Sequence, residues 1–264
     1  MLYFHGIADS CRFLHDVPNQ FNILASAYRI RQYSTIKKYL PHAKSLFLDS
    51  GMISAWKKGL VSWADKQGYV ADLAREIRPN YCAHLDLPME PRLLAKNGVT
   101  PMWALAKTIK NARKFVGENL GEKTTKVFVV QGYELEEYES CINAYRDMAL
   151  MDIPDVWFGI GSVCMRSPRM GLYAVCDLIR RRIPDHHLHA FGVGRKAWVD
   201  ELESIGIDSC DSACASIKVG FNRGLSRVEE HRNVHDRDRQ FIEEHTRFEN
   251  AIRTPSAQLR LPLE

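Results

Sequence analysis

Short apolar runs alternate with longer amphipathic stretches along most of the chain, the signature of repeated strand–helix units around a parallel sheet. The clearest strand segments are Ser45 to Asp49, Cys82 to Leu87, Lys126 to Gln131, Val156 to Ile160, His187 to Val193 and Ile207 to Asp211. Two weaker ones fall at Leu2 to His5 and Phe21 to Ala25, bringing the count to about eight, the number at which such a sheet closes on itself. Between them, apolar residues three and four apart predict helices over Ala64 to Ile77, Pro101 to Glu118, Glu134 to Met151, Arg169 to Arg182 and Arg195 to Ile205. Ser167-Pro168 reads as a helix start and Gly206 as a stop. The pattern therefore predicts an α/β fold, a (β/α)8 TIM barrel forming a single domain over residues 1–222. From Arg223 through Glu249 charges of both signs are mixed, so residues 223–264 read as a charged helical extension packing on or extending the barrel. No solenoid repeat or low-complexity segment interrupts the pattern.

Composition narrows this picture only a little. A chain of 264 residues with 45% hydrophobic content suits one large domain with a substantial core. The cysteines at positions 11, 82, 141, 164, 176, 210 and 214 are odd in number and scattered, which favours reduced thiols over a disulfide framework. The N-terminus has no basic region followed by a long apolar stretch, and no window approaches the ~20 apolar residues that span a bilayer. The expected location is the cytoplasm, with no membrane partner. A formal charge of +4 is too mild to argue for nucleic acid by itself. Two local clusters are candidates for phosphate contacts: Lys107, Lys110, Arg113 and Lys114 on one side of a predicted helix, and the knot Arg180-Arg181-Arg182. A solvated face is the alternative for both.

Active sites in this architecture gather where the strands finish. Those ends supply Asp49, Asp86, Gln131, Gly161, Gly192 and Asp211: carboxylates for chemistry, a carboxamide to bond a heterocycle, and bare backbone for close approach. Each aspartate has a second reading as the N-cap of the next helix, and Gln131 as a residue bonding loop backbone. Asp208 has the opposite strand parity from Asp211 and is left out of the set.

Five segments in colinear order resemble the guanine transglycosylases, which exchange a nucleobase in nucleic acid for a 7-deazaguanine. Leu48-Asp49-Ser50-Gly51 is similar to that family's Asp-Ser-Gly-Gly-Phe-Gln, Val130-Gln131-Gly132 to Val-Gln-Gly-Gly, and Gly159-Ile160-Gly161-Ser162 to Gly-Gly-Leu. Phe191-Gly192-Val193-Gly194 matches Met-Gly-Val-Gly, and Gly206 to Asp211 matches Gly-Val-Asp-Met-Phe-Asp. Five pieces in register over about two thirds of the chain are a specific signal where one would be weak. The resemblance implies Asp211 as the nucleophile at C1′ and Asp49 as general acid/base. It implies Asp86, Gln131 and the backbone near Gly161, Ser162 and Gly192 as readers of the purine. Phe191 stacks on the base in this reading, or serves as a core aromatic.

The departures from the family's pattern set the substrate preference. The tRNA-modifying members carry a Cys-x-Cys-x-x-Cys zinc site with a distant histidine, for which this chain has no counterpart. It also lacks their long C-terminal segment, and Asp49-Ser50-Gly51-Met52-Ile53-Ser54 lacks the second glycine, the phenylalanine and the glutamine. The shorter, divergent relatives called deoxypurine-in-DNA protein A act on DNA, so DNA is preferred over tRNA. A base inside a duplex is out of reach, which implies extrusion or single strands, and a duplex-opening ATPase as an accessory partner. Cys210-x3-Cys214 followed by His231-x3-His235 approaches metal-ligand spacing, but a buried thiol and ordinary helical neighbours account for it, and no cofactor is expected. Rossmann, P-loop and Ser-His-Asp chemistries lack their motifs. A tRNA enzyme, an N-glycosidase that hydrolyses without reinsertion, and a non-catalytic nucleic-acid-binding relative remain as alternatives.

Overall fold

Eight parallel strands pair in chain order and close, β8 returning to β1. They are β1 (Leu2–Gly6), β2 (Asn22–Ser26), β3 (Ser45–Asp49), β4 (Tyr81–Ala83), β5 (Thr125–Val130), β6 (Trp157–Ile160), β7 (His187–Ala190) and β8 (Ser209–Ser212). The computed structural model describes residues 1–7, 11–213 and 234–253. The α/β barrel expected from the periodicity is the fold of the chain, and all eight expected strands are present.

Alternation along each strand splits the apolar residues into two cores. Phe4, Leu24, Phe47, Ala83, Val127 and Val129 fill the inside of the barrel, with Leu2, Tyr81, Trp157 and Phe191 packed on them. The larger core lies outside, between strands and helices. Because Phe4 pairs in register with Asp211, and Phe47 is two residues before Asp49, the interior rings form the floor on which the carboxylates at the strand ends stand.

The expected helices appear as α3 (Gln67–Ile77), α5 (Pro101–Val116), α6 (Leu135–Asp147), α7 (Leu172–Arg182) and α8 (Lys196–Ile205). Thr100 caps α5, its hydroxyl accepting from Trp103 N, and a Glu134/Glu137 capping box opens α6. Gly206 ends α8 in the left-handed conformation, as its position implied. Ser167-Pro168 opens only a single turn of 3-10 helix, because Gly171 at φ 80° breaks the chain before α7 begins. Three helices of six or seven residues lie outside the periodic pattern: α1 (Ala27–Gln32), α2 (Met52–Lys57) and α4 (Pro91–Asn97), each too short to show a period.

The charged segment contains α9 (Val234–Arg253). It packs on the barrel through His245, buried against the rings of His5, Phe13 and Phe21 at 4.3, 5.3 and 5.7 Å, while Glu249 meets His5 Nε2 at 3.1 Å. No helix among the described residues is long and apolar enough to cross a membrane.

Candidate active site

The strand ends open into one small cavity of about 120 Å³. Asp49, Asp86, Gln131, Gly161, Ser162, Phe191, Gly192 and Asp211 all line it, joined by Leu24, Ser50, Met52, Ile53 and Cys164. The eight cavity residues expected from sequence thus come together from six different strands or the loops that follow them.

Asp86 reaches the cavity from a segment that has left the sheet. The apolar run predicted a strand to Leu87, yet the β4 ladder stops at Ala83. Residues 84–90 are nonetheless buried apart from Asp86, so their backbone polar groups need partners. Side chains supply them: Leu85 N donates to Gln67 Oε1 at 2.6 Å, Leu87 N to Thr108 Oγ1 at 2.9 Å and Met89 N to Ser162 Oγ at 2.7 Å, while Asn111 Nδ2 donates to Leu85 O at 2.9 Å. Buried polar residues on the inner face of α5 are therefore scaffolding for the Asp86 loop. Asp86 itself accepts from Ser50 Oγ at 3.0 Å and from Gln131 Nε2 at 2.5 Å. Burial pushes its carboxyl above the usual range, and these two bonds oppose that rise.

The same bonds orient Gln131. With Nε2 given to Asp86, its Oε1 accepts from Ser162 Oγ at 2.7 Å. The Ser162 hydroxyl, which accepts from Met89 N, also donates toward Glu90 Oε2 at 3.1 Å, sharing its one proton between Gln131 and Glu90. Burial raises the Glu90 carboxyl, and its hydrogen bonds, that of Ser162 among them, oppose the rise. Gly161 makes room for the array: a Cβ there would overlap the Gln131 amide. Its N–H already bonds Val130 O, and its carbonyl accepts from Tyr138 Oη at 2.8 Å. Ser162 N–H is thus the backbone donor of this pair left unengaged among the described residues.

Asp49 and Asp211 have contrasting surroundings. Asp49 Oδ2 accepts from Gly51 N at 3.1 Å. Desolvation, then the charges of Asp86 and Asp211, raise its carboxyl to about 7, a value suited to proton transfer at neutral pH. Asp211 is instead held by two donors on one oxygen, with Gly192 N at 2.7 Å and His189 Nε2 at 3.3 Å from Oδ1. Gly192 must be glycine for this approach, since it sits at φ 71° and a Cβ would strike Cys164. The N-cap readings of Asp49 and Asp86 fall away, since Gly51 and Glu90 occupy the caps of α2 and α4, while the segment that an Asp211 cap would start lies outside the described residues; Gln131 bonds side chains through its amide. Phe191 lines the cavity while packing on Phe47 at 5.6 Å.

The family described as DpdA, DeoxyPurine in DNA protein A, matches residues 22–227. The chain belongs to this family. No curated protein matches it. Membership in the DpdA family carries the relationship to guanine transglycosylases that the five sequence segments implied, and the matched range takes in every residue of the cavity.

Two basic clusters expected to hold nucleic acid are not brought to this DpdA cavity. Arg181 pairs with Asp177 at 2.9 Å in the last turn of α7, and Arg180 bonds Asp208 and the carbonyls of Ile183, Pro184 and His186, all at the start of the strands and opposite the mouth. Lys107 is paired with Asp65, while Lys110 and Arg113 are exposed on α5, which runs down to Val116 beside the start of β5. Helices descend as strands rise, so basic residues in a last helical turn end up away from the site. Asp208, engaged with Arg180 at 2.6 Å and Leu188 N at 2.8 Å, is structural, in line with its strand parity. Of the metal-like spacing, Cys214 and His231 lie outside the described residues; among the described ones, no group of three His, Cys, Asp or Glu is arranged around a common ion position.

The sequence reading missed Glu90, Ser50 and His189. Ser50 stands inside a segment already singled out, Glu90 lies shortly after the Asp86 run, and His189 shares strand parity with Phe191, so parity was the available signal for it. One expected result follows from the packing at Gly161. Gly161→Ala is expected to displace the Gln131 amide and, if the cavity takes guanine as the resemblance implies, to weaken guanine binding by roughly 10- to 100-fold, the value of one charged hydrogen bond, with little change in melting temperature. Calorimetric titration with guanine measures it.

Proposed function

We propose that this DpdA-family transglycosylase exchanges guanine in DNA for a 7-deazaguanine through a covalent glycosyl–Asp211 intermediate. The observation that carries the reading is the convergence of Asp49, Asp86 and Asp211 on one cavity, with the Asp49 carboxyl raised to about 7. A lone pair of Asp211 Oδ2 forms a bond to C1′ as the C1′–N9 bond breaks, and the purine takes that electron pair together with the Asp49 proton. In the return step the incoming base gives its ring proton to Asp49, and its nitrogen pair closes on C1′, expelling Asp211. No cofactor enters either step.

The Asp86–Gln131–Ser162 array supports the choice of bases. A carboxylate acceptor beside amide and backbone donors complements guanine's N1–H, its exocyclic amine and O6. A 7-deazaguanine presents that same edge, so one reader serves both halves of an exchange. The strand must present its base single-stranded or extruded, and a duplex-opening ATPase is the class of partner this requires.

Phosphates then need cations at the mouth. Lys57 ends α2, whose first turn lines the cavity, and its charge is felt by the Cys164 thiol there. Lys96 Nζ bonds Lys57 O at 2.5 Å, which brings these two lysines together, with Lys58 next in the chain and bonded to Gln32 at 3.2 Å. Replacing Lys57, Lys58 and Lys96 with Gln is expected to weaken single-stranded DNA binding and reduce its log–log salt slope by about 2, at ~0.7 per phosphate contact. Reversing the charge at Lys110 and Arg113 leaves the slope unchanged. Fluorescence anisotropy across a salt series reads both.

The deciding test is mass analysis of nucleosides from DNA and tRNA of cells expressing the protein with a deazaguanine supply. A deazaguanine deoxynucleoside supports the proposal, and one confined to tRNA moves the substrate. Abasic DNA with free guanine indicates a glycosidase. Unmodified nucleic acid that still binds the protein indicates a non-catalytic relative.

A further inference from the structure

Below the cavity, the barrel interior contains a line of polar side chains that the exchange chemistry has not used. His187 and His189 come from alternate positions of β7, and Ser209 and Asp211 from alternate positions of β8. His189 is fully buried among the rings of Phe4, Phe47 and Phe191, at 5.8, 4.7 and 4.6 Å. Its Nε2 lies 3.3 Å from Asp211 Oδ1 and its Nδ1 2.9 Å from Ser209 Oγ, which in turn lies 2.8 Å from His187 Nε2. Trp157 stacks on His187 at 3.4 Å and 10°, closing the line at the end remote from the mouth.

A neutral chain of these groups has one direction. The Asp211 carboxylate only accepts, so His189 Nε2 carries the proton and its Nδ1 is an acceptor. Ser209 O–H fills that acceptor, and the Ser209 oxygen takes the Nε2–H of His187. Burial lowers His187 to about 4, which keeps it neutral. A histidine in an aromatic core is costly unless bonded, and here both ring nitrogens are. Both donors to Asp211, Gly192 N and His189 Nε2, land on Oδ1, which fixes the carboxylate plane and leaves Oδ2 for the electrophile.

We propose that His189, locked in its Nε2–H tautomer by Ser209 and His187, is the positioning residue that orients the Asp211 carboxylate for attack at C1′. This rests on the transglycosylase reading of Asp211. His189 does not line the cavity, so its influence passes through Asp211 and leaves recognition of the base to Asp86 and Gln131.

The test pairs kinetics with a spectroscopic measurement that needs no turnover. Single-turnover adduct formation and steady-state exchange are compared for the wild type, His189→Leu, His189→Gln and Ser209→Ala. His189→Leu is expected to lower kcat by ~100-fold, the effect of a misplaced reacting group, with KM for oligonucleotide and base unchanged. His189→Gln places an amide N–H where Nε2–H stood and restores the rate to within about fivefold. Ser209→Ala, which keeps the packing, gives an intermediate loss. In parallel, ¹⁵N NMR of histidine-labelled protein is expected to show His189 protonated at Nε2 and unprotonated at Nδ1, with Ser209→Ala shifting the Nδ1 resonance. An active wild type with unimpaired His189→Leu overturns the inference and leaves the exchange reading intact, as does an equal loss in kcat and affinity that Gln fails to rescue. A wild type forming neither adduct nor exchanged product removes the exchange reading instead. The NMR arm then decides whether His189 holds the carboxylate: an Nδ1–H tautomer overturns it and an Nε2–H tautomer sustains it.

Discussion

Asp211→Asn is expected to abolish the trapped glycosyl–enzyme of the proposed mechanism and to lower exchange by roughly 10⁴-fold or more, because an amide supplies no competent oxygen nucleophile and no other carboxylate shares its place. The fold should be indifferent to the change. Gly192 N and His189 Nε2 both donate to Oδ1, and an asparagine carbonyl accepts the same two bonds. The melting temperature therefore stays within a few degrees while the adduct disappears from denaturing gels and intact-mass spectra. Retention of the adduct in Asp211→Asn would move the nucleophile elsewhere and take the proposed mechanism with it.

The second large effect is a pH dependence that Asp49 imposes. As the acid that protonates the departing purine in the proposed mechanism, it must hold its proton when substrate binds, and its carboxyl is raised to about 7. Single-turnover adduct formation should be flat below that value and fall about tenfold per pH unit above it. Asp49→Asn removes the limb and lowers the rate by about 10²- to 10⁴-fold. Stability follows the same proton. The folded state binds it more tightly than the unfolded chain, so the stabilisation is fully present below about pH 4 and is lost as pH rises through about 7. Above that, the ionised Asp49 costs roughly 2–4 kcal/mol, because each tenfold difference in proton affinity between the folded and unfolded chain is worth ~1.4 kcal/mol. Asp49→Asn should accordingly melt higher than the wild type at pH 8 and nearly with it at pH 4. Calorimetry at the two pH values separates this from a general repacking effect.

The barrel was legible because its code is short-range: strand parity and helix period sort inside from outside without knowledge of partners. Asp49 and Asp211 were placed by that code, since each closes an apolar run. The Asp86 loop was misread as strand because Leu85 and Leu87 are as buried as sheet residues. Their backbone partners, Gln67, Thr108 and Asn111, lie on helices remote in sequence, and no local pattern records such bonds. The basic clusters failed for a related reason, because helical spacing gives a face of the helix and not an end of the barrel. Glu90 and His189 stayed hidden as single residues whose roles exist only through neighbours on other strands.

The barrel beneath the cavity is filled by Phe4, Phe47 and His189 and closed further down by the Tyr81–Trp157–His187 stack. Among the described residues, a chamber stopped at one end is left with its mouth as the doorway. In a base exchange, the released purine must leave by that doorway before its replacement arrives, with the sugar tethered meanwhile. On the proposed exchange, the kinetics should then be ping-pong, and free guanine should compete with the incoming deazapurine.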